Sequence, residues 1–170
     1  MSATATSHPA VGDRIVHKTF PPITRHTLAL YCGASGDHNP MHVDIDFAKA
    51  SGFPDVFSHG MLVMGYLGQA LTDAVPPGRI RSFSTRFAAI TQLGARLSCE
   101  GHVTELIEDK GEKRARLALT AKDETGEVKL AGEAIIALCW AKKVKLTFWM
   151  LRHGVRLRTT QRAQHRAEAR

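Results

Sequence analysis

The sequence predicts an α+β fold in which a curved antiparallel sheet wraps around one long central helix. Two observations carry this prediction. Residues 59–75 form a nearly continuous apolar run, which is typical of a buried helix, and the chain after Pro76 consists of β-rich runs separated by turn residues. The 170 residues, 44% of them hydrophobic and 23% charged, have the balance of one globular domain with appendages.

The first part of the chain predicts short elements. Residues 11–20 alternate as a first strand and are followed by two prolines that end it. Thr24 is a suitable N-cap for a helix that ends near the glycines at 33 and 36, because glycine makes continuation costly. Asp44 is a suitable N-cap for a short helix through residue 50, which ends before Gly52 and Pro54.

The central helix follows over residues 59–75 and ends at Pro76-Pro77-Gly78. Because it is apolar or small on every side, we expect it to be buried all round. Gly65 and Gly68 lower its helix propensity, and they predict the close approach of a neighbouring sheet or backbone.

Four β-rich runs complete the fold, at residues 79–93, 96–107, 114–122 and 128–138. Glycine-containing turns separate them, at Gly94, at 109–111 and at 124–126. The third run alternates well, with four apolar residues on one face: Ala115, Leu117, Leu119 and Ala121. This alternation predicts an antiparallel sheet with one face on the core.

The charge is concentrated at the C-terminus. The segment from Lys142 onward contains nine lysines and arginines and one glutamate, a net charge of +8. Since the whole chain has a formal charge of +7, the preceding 141 residues have a net charge of −1. The nearly neutral body argues against a DNA-binding fold. We therefore divide the chain into a disordered N-terminus (1–10), one domain (11–140) and a basic extension (141–170) that is disordered or helical. The extension either has no dedicated role or touches an anionic surface, nucleic acid or an acidic carrier protein.

The cysteines and the N-terminal residues indicate in which cellular compartment the protein works. Cys32, Cys99 and Cys139 are widely spaced and odd in number, which favours neither a disulfide framework nor a zinc ribbon. The N-terminal residues lack the pattern of a secretory signal, and no run reaches the ~18 consecutive apolar residues of a membrane span. We expect a cytoplasmic protein.

Asp37 and His42 are a carboxylate and an imidazole five positions apart in a loop interrupted by glycine and proline. Such a loop can turn both side chains into one pocket. A carboxylate can orient a water molecule while an imidazole exchanges protons with it, so the pair can add water to a double bond or remove it. Gly36 permits a positive φ before Asp37, and Asn39 can fix the loop by hydrogen bonds to the backbone.

Gly60 begins the predicted central helix, where its N–H is unsatisfied and lies at the positive end of the helix dipole. With no side chain in the way, a substrate carbonyl can approach this N–H, and negative charge that develops on its oxygen is stabilised there. Ser58, His59 and Met61 flank Gly60 as candidate substrate-binding residues, and Ser58 and His59 can alternatively cap the helix.

The run from Tyr31 to Asp44, with its G-D-x-N-P-x-H pattern, and the later His59-Gly60-Met61 together resemble the MaoC-like, (R)-specific enoyl-CoA hydratase family of hot-dog proteins. The resemblance covers residues 11–138. It implies (R)-specific hydration of trans-2-enoyl thioesters, or the reverse dehydration, with Asp37 and His42 as the catalytic pair. It also implies support from Asn39, an oxyanion donor at the Gly60 N–H, a single hot-dog domain and a homodimer.

Other functions stay open. The chain can be a non-catalytic hot-dog subunit that binds acyl thioesters or scaffolds a partner, or a dehydratase that acts on acyl-carrier-protein substrates in fatty-acid or polyketide synthesis. Thioester hydrolysis is a third enzymatic option. His38 and His42 have the i, i+4 spacing of metal ligands on a helix, but Pro40 lies between them and no third ligand is evident. We therefore expect neither a metal nor a redox cofactor, with coenzyme A or a carrier protein only as part of the substrate.

Overall fold

The computed structural model describes residues 9–138. The expectations for residues 1–8 and for the basic extension after residue 140 lie outside the described residues. The helices and strands, in chain order, are β1 (Arg14–Thr19), α1 (Arg25–Ser35), α2 (Ile45–Ala50), α3 (Gly60–Ala74), β2 (Ile80–Phe87), β3 (Ser98–Asp109), β4 (Glu112–Lys122) and β5 (Val128–Ala137). Two short 3-10 turns occupy Pro40–His42 and Pro77–Arg79.

The five strands form one antiparallel sheet in the order β1-β3-β4-β5-β2, so β1 and β2 are its edges. Helix α3 packs against β1, β3, β4 and β5. The apolar face predicted for β4 is buried in this core, together with Leu67 and Leu71 of α3. The predicted α+β class, with a sheet packed around one long helix, is confirmed. Among residues 9–138, no helix combines the length and apolar composition needed to cross a membrane.

Local signals fixed the helix starts and turns as predicted. The Thr24 hydroxyl accepts a hydrogen bond from the Thr27 N–H at 3.1 Å, and the Thr27 hydroxyl accepts one from the Thr24 N–H. Asp44 caps α2 by accepting from two backbone N–H groups. Helix α1 passes through residue 33 and ends at Gly36, whose φ of 73° is the left-handed conformation that glycine adopts at low cost.

Two expectations are wrong in detail. The β-rich run 79–93 is a strand only as far as Phe87, because the N–H groups of Ala88 and Ala89 both donate to the Lys129 carbonyl and the chain then leaves the sheet. Helix α3 is not buried all round within this chain: Met61 is 53% exposed and Gly65 faces open space. Of the two glycines for which a close neighbour was predicted, Gly68 has one, the Phe83 ring, which would lie 3.7 Å from an added Cβ.

Candidate active site

In the loop that follows α1, Asp37 is held by hydrogen bonds to residues nearby in sequence. The Asp37 N–H donates to the Ser35 hydroxyl at 3.2 Å, and its own carboxylate accepts from the Asn39 N–H at 3.3 Å. The Asn39 side chain in turn accepts from the Met41 N–H at 3.1 Å and so caps the 3-10 turn that ends at His42. Asp37 remains exposed, while the turn carries His42 inward.

His42 is fixed by one hydrogen bond that also determines its protonation pattern. Its Nδ1 lies 2.8 Å from the carbonyl oxygen of Phe57, and the Phe57 ring meets it edge-on at 5.2 Å. A carbonyl oxygen only accepts, so Nδ1 must carry the hydrogen. In the neutral imidazole, Nε2 is then an unprotonated acceptor. His42 is therefore set up to take a proton through Nε2.

The segment that supplies this carbonyl is itself anchored to the loop after β2. Phe57 forms a bridge with Gln92, and the Ser58 N–H donates to the Thr91 carbonyl at 2.8 Å. The buried ammonium of Lys129 holds the same loop by donating to the Ile90 carbonyl at 3.1 Å. The backbone carbonyl of Phe57, 15 positions from His42 in sequence, thus determines the orientation of the His42 ring.

His59, the residue before α3, points into the protein and is 1% exposed. Its Nε2–H donates to the backbone carbonyl of Asp37 at 3.3 Å, and its ring lies against that of His42 with centroids 3.8 Å apart and planes at 31°. Tyr31 meets the same ring edge-on at 4.9 Å. Burial lowers the pKa of His59, and the neighbouring His42 lowers it further, so the neutral form is favoured.

The start of α3 presents backbone donors without side-chain caps. Neither predicted cap forms: His59 makes no capping bond, and the Ser58 hydroxyl donates to the His59 carbonyl at 3.1 Å. The first N–H groups of the helix, at Gly60 and Met61, have no acceptor within it. An ideal Cβ on Gly60 would lie 2.9 Å from the Phe87 ring, so this ring borders the helix end. Met61 is exposed beside it.

The structure brings Asp37 and His42 together and adds His59, with ligating atoms of all three within 4.8 Å of one another. The exposed His38 is not part of this group. A third potential metal ligand is therefore present that the sequence did not indicate. The hydrogen bonds to carbonyl groups leave His42 Nε2 free in the site, whereas the free Nδ1 of His59 is buried. This donor set suits proton transfer to and from a water molecule.

Sequence reasoning missed three supporting features. The Phe57 carbonyl belongs to the backbone and has no sequence signature. The inward orientation of His59 depends on residues 31, 37 and 42 meeting it in space. The lysine at 129 has the same parity as Glu133, opposite to Leu130 and Ala134, so the alternation of β5 predicts an exposed side chain there and gives no signal of its burial.

Residues 6–125 match a family model described as a MaoC like domain. The chain is 32% identical over 116 residues to an (R)-specific enoyl-CoA hydratase from Rhodospirillum rubrum, and the aligned region covers 67% of this chain and 78% of that protein. It is 35% identical over 80 residues, or 45% of its length, to the peroxisomal enoyl-CoA hydratase 2 of Arabidopsis thaliana, but spans only 26% of that larger protein. The solved structure of R-hydratase PhaJ1 from Pseudomonas aeruginosa is similar, with a TM-score of 0.66 at 30% identity over 76% of this chain and 82% of the other.

Proposed function

Since the chain belongs to the MaoC-like domain family of hot-dog proteins, we propose that it is a hydro-lyase that adds water to trans-2-enoyl thioesters to give (R)-3-hydroxyacyl thioesters, or catalyses the reverse dehydration. One observation of the structure carries the proposal. Ligand atoms of Asp37, His42 and His59 lie within 4.8 Å of one another at the uncapped start of α3, and the hydrogen bond at His42 Nδ1 leaves Nε2 as the acceptor of that ring. A base, a water-orienting group and oxyanion donors are then available to one substrate.

In this proposal the water molecule lies between Asp37 and His42. The carboxylate accepts one of its hydrogens in a hydrogen bond, and His42 Nε2 removes the other as the water oxygen attacks the β-carbon. The π electrons of the C=C bond move toward the thioester carbonyl, whose oxygen becomes negative. The Gly60 N–H, at the positive end of α3, donates to that oxygen.

The reaction closes when the imidazolium of His42 returns its proton to the α-carbon on the face that the water attacked. The water has then been added as a hydroxyl on the β-carbon and a hydrogen on the α-carbon, and His42 is neutral again. The nearby Asp37 carboxylate stabilises the imidazolium in between. Dehydration runs through the same steps in reverse, as microscopic reversibility requires.

The test is the loss of enoyl absorbance from a short trans-2-enoyl-CoA, with the chirality of the product read by (R)- and (S)-specific 3-hydroxyacyl-CoA dehydrogenases. Positioned proton transfer contributes roughly 10²–10⁴ in rate. We therefore expect Asp37→Asn and His42→Gln each to lower kcat by about 10²-fold or more. Two exposed neighbours, His38→Gln and Asp46→Asn, serve as matched controls and should keep full activity.

Two outcomes would contradict the proposal. Wild-type rates in both Asp37→Asn and His42→Gln would exclude Asp37 and His42 as the catalytic pair. Thermal stabilisation of the wild type by enoyl-CoA without any turnover would favour the non-catalytic binding subunit instead. We propose that no metal or redox cofactor takes part, so prolonged treatment with a chelator should leave the rate unchanged.

We also propose that the protein works as a homodimer in a reducing compartment such as the cytoplasm. Strand β2 is a sheet edge whose outer side pairs with no described strand, and the exposed side of α3 beside it carries Met61 and Gly65. An apolar helix face next to an open strand edge suits pairing with a second copy. Light scattering should give twice the chain mass of 18.6 kDa, and Gly65→Leu should lower it to a monomer.

A further inference from the structure

The side chain of His59 is an unusual component for the interior of this domain. It is 1% exposed, and its Nδ1 has no hydrogen-bond partner among the described residues. Buried polar atoms without partners are rare in folded proteins because each one costs stability. A phenylalanine or leucine would fill this position without that cost. The presence of an imidazole therefore calls for a role besides packing.

The hydrogen bond from His59 connects the Asp37 loop to a part of the chain that is distant in sequence. It joins residues 22 positions apart, whereas the other hydrogen bonds found at residues 35–39 of the described chain span no more than four positions. Short-range bonds shape a loop but do not fix its place relative to the rest of the fold. The bond from His59 to the Asp37 carbonyl connects the loop to the start of α3.

The ring of His59 also limits the movement of His42. With centroids 3.8 Å apart and planes 31° from parallel, the two imidazoles cover each other's faces. His42 is pinned at Nδ1 by the Phe57 carbonyl, so its remaining freedom is rotation about that bond. The His59 ring blocks this rotation on one side. The His42 ring is thereby held near the Asp37 carboxylate.

We propose that His59 is a positioning residue that holds Asp37 and His42 in the mutual placement that hydration requires, without contact with the substrate. The proposal rests on the hydratase function proposed above. It differs from a substrate-binding role because the imidazole is buried, and beside its edge contact with Tyr31 it contacts the backbone of Asp37 and the ring of His42. A misplacement of about 1 Å can cost roughly 10²-fold in rate, which sets the scale of the expected effect.

Two variants separate the contributions of the ring and the donor. His59→Phe keeps a flat ring against His42 but removes the hydrogen bond to Asp37, and it also removes the orphaned Nδ1. His59→Gln keeps a donor near the position of Nε2 but loses the ring. Leu71→Ala is the matched control, since it creates a cavity in the same helix at a residue that is 1% exposed and lies at the far end from the site.

The full-length chain and its variants are assayed with a short trans-2-enoyl-CoA, and their melting temperatures are measured. We expect His59→Phe to lower kcat by about 10- to 100-fold while KM changes by less than about threefold and the melting temperature stays level or rises. His59→Gln should recover part of kcat. Leu71→Ala should melt at a lower temperature yet keep its kcat when assayed below that temperature. A kcat for His59→Phe within about twofold of the wild type would overturn the positioning role.

A second measurement separates this inference from the hydratase proposal. Nitrogen-15 NMR of the histidine side chains reports the tautomer of His42 without any substrate. In the wild type we expect one tautomer with the hydrogen on Nδ1, and in His59→Gln a mixture or line broadening from ring motion. An unchanged His42 signal contradicts the positioning role even if the wild type hydrates enoyl-CoA. A wild type with no hydration but an altered His42 signal in the variant contradicts the proposed function alone.

Discussion

The buried ammonium of Lys129 offers the sharpest test of how the loop beside the site is held. The side chain is 4% exposed, and its Nζ pairs with Asp123 at 3.0 Å and with Glu127. It also donates to the Ile90 carbonyl at 3.1 Å. Burial alone would lower the pKa of Lys129, but the hydrogen bonds to Glu127 and Asp123 raise it. The lysine therefore stays charged and ties β5 to the loop after β2.

Lys129→Met keeps the aliphatic stem and removes the charge. Removing one partner of a buried ion pair costs about 3–5 kcal/mol because the other charge is left uncompensated. Asp123 keeps three donors on its Oδ1, from the Thr125 N–H at 3.0 Å, the Thr125 hydroxyl at 2.6 Å and the Glu127 N–H at 3.0 Å. We therefore expect the lower end, about 3 kcal/mol, which for a domain of this size lowers the melting temperature by roughly 10–15 °C.

The destabilisation should also depend on pH with a defined sign. In the wild type, burial raises the pKa of Asp123, but hydrogen bonds from Thr125, Lys129 and Glu127 outweigh it and lower the pKa from 3.8 to about 2. Its contribution to stability is therefore present above about pH 3.8 and is lost as the pH falls toward 2. Without the lysine the carboxyl group protonates more readily. The stability difference between the wild type and Lys129→Met should shrink between pH 7 and pH 4.

Chemical denaturation and calorimetry at both pH values measure these differences. The exposed Lys113→Met on β4 is the matched control and should change stability by less than about 0.5 kcal/mol. Adding Asp123→Asn to Lys129→Met should restore stability, since the amide oxygen keeps the three hydrogen bonds and no charge remains buried. A melting temperature within about 3 °C of the wild type, or no recovery in the double variant, would refute the ion-pair argument.

Three further outcomes are expected. Gly132→Ala should lower the free energy of unfolding, measured in urea, by about 3 kcal/mol or more, because an ideal Cβ would lie 2.2 Å from the Ser84 carbonyl oxygen. Gly33→Ala, which adds a methyl group in open space on α1, should raise that free energy by up to about 1 kcal/mol. Gly60→Ala should lower kcat by at least about 10-fold, because the added methyl group obstructs the approach of a substrate oxygen to the Gly60 N–H. The stability of the protein should change little, since the half-exposed Phe87 ring can move aside. An unchanged kcat would exclude the Gly60 N–H as the oxyanion donor. Burial raises the pKa of Cys99 to about 12, so site-resolved mass spectrometry should find it unmodified by a thiol reagent at pH 8 until the protein unfolds.

Much of the fold could be predicted because its signals are local. Thr24 and Asp44 cap their helices through bonds to residues two or three positions away, which the sequence displays directly. The hairpin between β3 and β4 places Lys110 and Gly111 at φ values of 52° and 77°, the conformation that the turn residues favour. Strand β4 alternates because it lies in the middle of a sheet with one face on the core.

The errors arose where a distant contact overrode the local pattern. Residues 88–93 have β propensity, yet the chain leaves β2 because the Lys129 carbonyl takes two consecutive N–H groups. The apolar composition of α3 predicted burial on every side, but its Met61 and Gly65 face is left open by the single chain. Composition shows that such a face is apolar. It does not show whether the same chain or another copy covers it.

The candidate site divides in the same way between local and distant information. Asp37, Asn39 and His42 could be recognised because the chemistry and the turn residues lie in one short loop. The groups that orient them come from the Phe57 backbone and the buried His59, whose contacts are set only when α3 packs on the sheet. The reactive groups and their supports thus lie on separate segments. In the proposed mechanism, changes outside the Asp37 loop can therefore abolish proper placement of the water molecule while Asp37 and His42 both remain in the chain.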